Sequence, residues 1–156
     1  MNSFLDVVKI LDFSVYDILD SVMLGLHPEI IKLNQVEQLA EGIDAKGQKI
    51  VTISAKEQKA GNVYAHYTIA ERGSKGLQTA NVDLNFSGKF WRSFKVIKIT
   101  GGWLVTASFG MYGTDIRENF EAKYDFMGLT KENLNYLVHQ YVFPEFSKRL
   151  RLKLKI

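Results

Sequence analysis

Apolar residues at the start of the chain recur with the spacing of one helical face. Phe4, Val7, Val8, Leu11, Val15, Ile18, Leu19 and Val22 follow the i, i+3, i+4, i+7 pattern, and Asp6, Lys9, Asp17 and Ser21 fall outside it. The spacing predicts a helix over 3–24, stopped by Gly25 and followed by Pro28. A second helical pattern covers 29–41 and ends at Gly42.

After Gly42 the period changes. Asp44-Ala45-Lys46-Gly47 reads as a turn, with Gly47 placed for a positive φ. Residues 49–54 and 62–70 read as strands, and 71–79 (ERGSKGLQT) as an exposed loop. Val82, Leu84 and Phe86 alternate with Asn81, Asp83 and Asn85, the period of a half-buried strand. Residues 90–100 form a longer run rich in aromatic and β-branched side chains. Gly101-Gly102 reads as a two-residue hairpin loop, and 103–109 as its return strand. So short a loop makes the pair antiparallel. Gly88 reads as a turn or bulge between two apolar runs.

Residues 112–124 are polar, without a clear period, and fit a short helix at most. Thr130 then has the character of an N-cap, with Glu132 in the first turn, where a carboxylate suits the helix dipole. Leu134, Leu137, Val138, Tyr141 and Val142 supply an apolar face, and Pro144 is expected to break or kink the helix. Helices toward both ends and antiparallel strands between them describe an α+β domain spanning 1–156, with a basic tail over 147–156.

That tail alternates strictly. Leu150, Leu152, Leu154 and Ile156 interleave with Arg149, Arg151, Lys153 and Lys155, which is the strand period and not the helical one. Three readings stand: a fraying helix end with solvated lysines, an extended segment that adds to a neighbouring subunit's sheet, or an arm on nucleic-acid phosphates.

Charge sharpens the picture. The formal net charge is +3, and the last ten residues hold five basic side chains (Lys148, Arg149, Arg151, Lys153, Lys155) and no acidic one. Without those five charges the rest of the chain carries −2. A basic arm fits this distribution better than a broad nucleic-acid face. The chain has no cysteine, which excludes disulfides, thiolate metal sites and a cysteine nucleophile. The acidic N-terminus is not expected to be a signal peptide, and no segment approaches the roughly 20 apolar residues of a membrane span.

Candidate chemistry is sparse. Ser87-Gly88-Lys89 looks like the end of a phosphate-binding loop, but the residue five before Gly88 is Asp83, Phe90 follows Lys89, and a β-type run comes next. His27, His66 and His139 stand at no metal-ligand spacing. His66 lies in a predicted strand and suits a structural role; His139 is expected at a solvent-facing or interface position on a helix. Asp115, Glu118 and Glu121 sit in an ordinary polar stretch, so a hydrolase built on them or on His66 is a minor reading. Phe90, Trp91, Phe94 and Trp103 interleave with Lys89, Arg92, Lys95 and Lys98, the pattern of a half-buried hairpin with a basic face or of a single-strand stacking platform.

Two stretches carry a resemblance. Ser87-Gly88-Lys89-Phe90-Trp91-Arg92-Ser93-Phe94, followed by Tyr112-Gly113 and then Phe126-Met127-Gly128-Leu129-Thr130 opening the last helix, resembles tailed-bacteriophage virion morphogenesis proteins of the head–tail joining and tail-completion families. Glu37 to Ile50 is similar to structural proteins of Bacteroidetes phages. Ser87 stands where the family motif has Thr, and Tyr124-Asp125 replaces its Arg before the second motif. The resemblance implies an antiparallel sheet with long N- and C-terminal helices packed on it, in a non-enzymatic subunit without cofactor or metal. Such subunits form a homo-oligomeric ring with portal, neck and tail proteins of the virion, without membrane, and genomic DNA passes through. The subunit-interface or DNA-lumen candidates are then Arg72, Lys75, Lys89, Arg92, Lys95, Lys148, Arg149, Arg151, Lys153 and Lys155. The rival is a small nucleic-acid-binding module that uses the basic C-terminal arm.

Overall fold

Apolar periodicity at the N-terminus yields helix α1 (Phe4–Gly25), as the spacing predicts. The computed structural model describes residues 4–51, 63–108 and 123–154, and the chain is α+β: helices toward both ends and an antiparallel strand pair between them. It divides into two compact units, one of residues 1–29 with 134–156 and one of residues 30–133.

In the first unit, Ile18 and Val22 stand one turn apart on α1 and are both buried. The C-terminal helical stretch begins with α5 (Lys131–Leu137), passes through a π-helical turn (Val138–Val142) and continues as α6 (Phe143–Leu154). Thr130 caps it as expected, its Oγ1 accepting from the Asn133 N–H at 3.2 Å. Pro144 does not break the helix. A proline ring crowds the carbonyl four residues back and donates no hydrogen bond. The wider π turn stands immediately before it, with the Phe143 N–H reaching Val138 O five residues back. Helix α6 packs on α1.

The tail is helical through Leu154, and Lys155 and Ile156 lie outside the described residues. On a helix, alternating leucines do not share a side. Leu152 is exposed and Leu150 is half-buried, so the extended, sheet-adding reading is corrected. Glu145 and Arg149, four apart and 2.8 Å from each other, belong to the helical period that continues from the preceding turns.

The second unit holds the larger core: Leu39, Ile50, Tyr64, Val82, Phe90, Phe94, Tyr124 and Phe126. Helix α2 (His27–Asn34) runs into a π-helical turn (Gln35–Leu39), and a further turn closes the stretch at Gly42, near the expected place. The Gly42 N–H bonds Leu39 O and the Ile43 N–H bonds Gln38 O, the paired return bonds of a Schellman stop.

Helix α3 (His66–Ser74) overturns the strand expected over 62–70; Asn62 itself lies outside the described residues. Within α3, Arg72 is buried, Ile69 three residues earlier packs on the core and Tyr67 is exposed, a helical and not an alternating spacing. The stop signal was in the supposed loop. Gly76 N–H reaches Gly73 O at 3.0 Å and Leu77 N–H reaches Arg72 O at 3.0 Å, a second Schellman closure.

The strand expected over 81–86 is also absent. Leu84 has φ +56, which no strand accommodates, and the segment folds around Asp83. Gly88 opens a helical turn, α4 (Lys89–Arg92), with φ +72. That positive φ is what calls for glycine, since a Cβ there would meet only the movable tip of the exposed Arg92 side chain.

Strand β1 (Lys95–Ile99) pairs antiparallel with β2 (Gly102–Thr106). The loop is Thr100-Gly101 and not Gly101-Gly102, because Ile99 pairs Gly102 and Val96 pairs Val105. That register sets Val96, buried, and Val105, packed on the core, on one face. Slipping it by one residue would turn one strand's inward set to solvent. The predicted strand over 49–54 appears only as an isolated Ile43–Lys49 bridge; 52–54, Phe109 and 112–122 lie outside the described residues.

Buried amides join α2 to the segment that precedes α5. Asn34 Nδ2 donates to the carbonyls of Phe126 (3.0 Å) and Gly128 (2.6 Å), and Gln38 Oε1 accepts from the Thr130 N–H at 2.7 Å. Asp44 organises the neighbouring turn, accepting from the Lys46 and Gln48 N–H groups through one oxygen and from Asp125 N–H through the other. Leu39→Ala empties a fully buried position in this core; chemical denaturation should show a loss of about 2–5 kcal/mol with an unchanged denaturant slope.

Candidate functional site

The predicted basic residues fall into three environments. Arg72 is interior. Its guanidinium meets both carboxylate oxygens of Asp83, at 2.9 and 2.8 Å, and the two side chains are 3% and 7% exposed. Its Nε donates to Gln78 O at 2.7 Å, and its plane lies 4.7 Å from the Tyr64 ring centroid. Both contacts come from Nη2, while Nε is satisfied by the Gln78 carbonyl, so the buried charge is paired and hydrogen-bonded without a two-nitrogen fork. Arg72 is therefore a structural ion pair, and its placement among the lumen or interface cations is corrected.

Asp83 is a hub. It also accepts from Gln78 Nε2 (2.8 Å) and from the Asn85 N–H (2.9 Å), and its own carbonyl accepts from Trp91 Nε1 at 2.8 Å. The Tyr64 hydroxyl donates to Asn81 O at 2.9 Å and receives the Asp83 N–H at 3.3 Å. Burial, with the Asp83 carboxylate adding to it, pushes the Tyr64 phenol up to about 12.

The second environment is the surface that this network supports. Trp91 is held at both ends, by Asp83 through its indole and by Gln35 Nε2, which donates to its carbonyl at 2.6 Å. Phe90 and Phe94 are buried edge to face, 5.0 Å apart. Those rings are core, so the stacking-platform reading loses them. What α4 leaves outside is Lys89 and Arg92, three apart on one side, with Lys95 following at the start of β1. Lys75 is exposed on another edge of the same unit, 3.0 Å from Glu71 and 3.7 Å from the centroid of the Phe86 ring.

The outer face of the hairpin carries Lys95, Ile97 and Ile99 from β1 with Leu104 and Thr106 from β2. Ile97, Ile99 and Leu104 are 41%, 44% and 42% exposed, and Ile97 pairs directly with Leu104. The residue pattern KVIKI could have shown this from sequence, because with Val96 inward both isoleucines must face out.

The third environment is the first unit's C-terminal helix. Lys148, Arg151 and Lys153 are exposed. Arg149 is engaged by Glu145 and donates to the Ser21 hydroxyl of α1. The Arg149 bond holds the Glu145 carboxyl below its ordinary range, and Lys148 adds to the effect. A groove of about 400 Å³ lies here, lined by Val22, Leu26, Tyr141, Pro144, Lys148 and Arg149 among others. Hydrogen bonding to Glu29 first, and then to Tyr136, pushes the Tyr141 phenol up to about 12.

His66 stands at the exposed start of α3, in place of the predicted strand, and His139 is exposed in the π turn. Asp115, Glu118 and Glu121 lie outside the described residues. Among the described residues no group of three or more His, Asp or Glu side chains could hold a metal ion, and no helix is long and apolar enough to cross a membrane. No protein-family model, curated protein or solved structure matches the chain.

Two outcomes follow from the Asp83 hub. Arg72→Met leaves a buried carboxylate unpaired and should cost about 3–5 kcal/mol, whereas Arg72→Met with Asp83→Leu should recover part of that loss in urea titrations. The folded protein favours neutral Tyr64, so its contribution is complete below the unfolded phenol value of 10.0 and disappears as pH climbs toward about 12. A shift of that size is worth about 2–3 kcal/mol. Thermal melts from pH 8 to 12 should therefore fall more steeply for the wild type than for Tyr64→Phe.

Proposed function

We propose that this chain is a structural virion subunit of a tailed bacteriophage, a ring-forming head–tail connector, tail terminator or tail-completion protein. The observation that carries the reading is the outer hairpin face. Ile97, Ile99 and Leu104 form an exposed apolar cluster on a two-stranded support, with Lys95 on the same face and the exposed Lys89 and Arg92 on the helical turn that precedes it in the chain. A subunit that self-associates buries such a cluster against its neighbour. One that conducts DNA benefits from cations on a fixed frame, because phosphate contacts are electrostatic and independent of sequence. The SGKFWRSF and FMGLT stretches supply the family resemblance, and their residues build α4 and the polar staple before α5. In this reading the partners are further copies of the chain and the portal, neck and tail proteins of the same virion, assembled in the bacterial cytoplasm. It requires no enzymatic activity.

The second reading is a nucleic-acid-binding module. Exposed Lys148, Arg151 and Lys153 on α6 favour it.

Native mass spectrometry and negative-stain microscopy of the purified chain distinguish the two. The virion reading expects closed rings and the protein's presence in particles; a strict monomer absent from virions would sink it. The binding-module reading expects DNA affinity that drops steeply with salt and vanishes when residues 148–156 are deleted.

A further inference from the structure

We propose that the outer face of the β1–β2 hairpin in one copy of the chain docks on the exposed face of α1 in the next copy. The inference rests on the ring-subunit reading and supplies its two contact surfaces.

The outer hairpin face is apolar at its centre, with Ile97, Ile99 and Leu104, and carries Lys95 on the same side. Residues 89–98 carry Lys89, Arg92, Lys95 and Lys98 and no acidic side chain. Phosphates alone leave the apolar centre uncovered, so the geometry favours a protein partner. That partner must offer apolar side chains among negative charges. Helix α1 does. Its buried side holds Ile18 and Val22, and the opposite side exposes Tyr16 (65%) and Leu24 (59%) with Asp17 between them in sequence. Phe4–Gly25 holds four aspartates against one lysine, a net charge of −3. A hairpin facing a hairpin would juxtapose like charges, as would a helix facing a helix. The cross pairing brings opposite charges and two apolar patches together. Joining two different surfaces is the heterologous arrangement, which gives a closed ring when the rotation between neighbours closes and a filament when it does not.

The test blocks each surface separately. Leu104→Glu alters only the hairpin face and Leu24→Glu only the α1 face; both positions are exposed, and circular dichroism checks that the fold survives. Each variant alone should assemble at least tenfold more weakly than wild type in sedimentation velocity. A mixture of the two should form a one-to-one dimer, because one intact pair of surfaces remains. As a measurement independent of any loss of stability, Leu104→Cys and Leu24→Cys copies, in a chain with no native cysteine, should cross-link with a bismaleimide to each other and not like to like. A wild type that forms rings while both Glu variants do so equally well overturns this contact and leaves the ring reading intact. Two assembly-deficient variants that do not complement overturn the heterologous pairing. A wild type that never associates overturns both.

Discussion

The contact between the Arg72 guanidinium and the Asp83 carboxylate organises most of the second unit. A chain cannot strand either charge away from water without heavy cost, so each must find the other with good geometry. Meeting both carboxylate oxygens brings α3 against the segment 78–85 and fixes the turn there. The turn includes Leu84 at φ +56, a conformation costly for a branched side chain unless its surroundings impose it. The Asp83 carbonyl then receives the Trp91 indole, and α4 is set so that Phe90 and Phe94 enter the core. The hairpin begins where that segment ends.

The hairpin itself is small. Two strands in water are marginal, and these are held because Val96 and Val105 share the face turned to the core. The opposite face inherits Ile97, Ile99 and Leu104 without choice, since strand side chains alternate. The exposed apolar cluster is thus a direct consequence of the register that buries the valines.

Charge is arranged unevenly on the same plan. The acidic α1 and the basic α6 pack in one unit, with Arg149 spent on Glu145 and Ser21, so part of the tail's positive charge serves internal neutralisation. The cations of α4 and β1 have a different setting: among the described residues of 89–98 there is no acidic neighbour in sequence. Helix α1 thus carries a net charge of −3 by sequence, while the segment 89–98 is purely basic, the kind of asymmetry that a head-to-tail assembly uses.

Several features were legible in the residues alone. The period of α1, the stop at Gly42, the Thr130 cap, the Gly47 turn and the antiparallel hairpin follow from local geometry, which short stretches encode by themselves. Tyr64 to Ala70 misled because its apolar residues fit a loose alternation, and the helix there depends on Arg72, whose partner lies eleven positions further on. The segment 81–86 misled for the same reason: Val82 and Leu84 alternate like a strand, but Asp83 at the centre is a buried acceptor that no strand would satisfy. The tail's period of two gave way to helix because α6 continues directly from a packed helical stretch. Local sequence thus determined the helices toward the two ends, their caps and the hairpin turn, but not α3 or α4. Only the tertiary structure decided which charges go inside, because burying an ion depends on a partner that arrives from elsewhere in the chain.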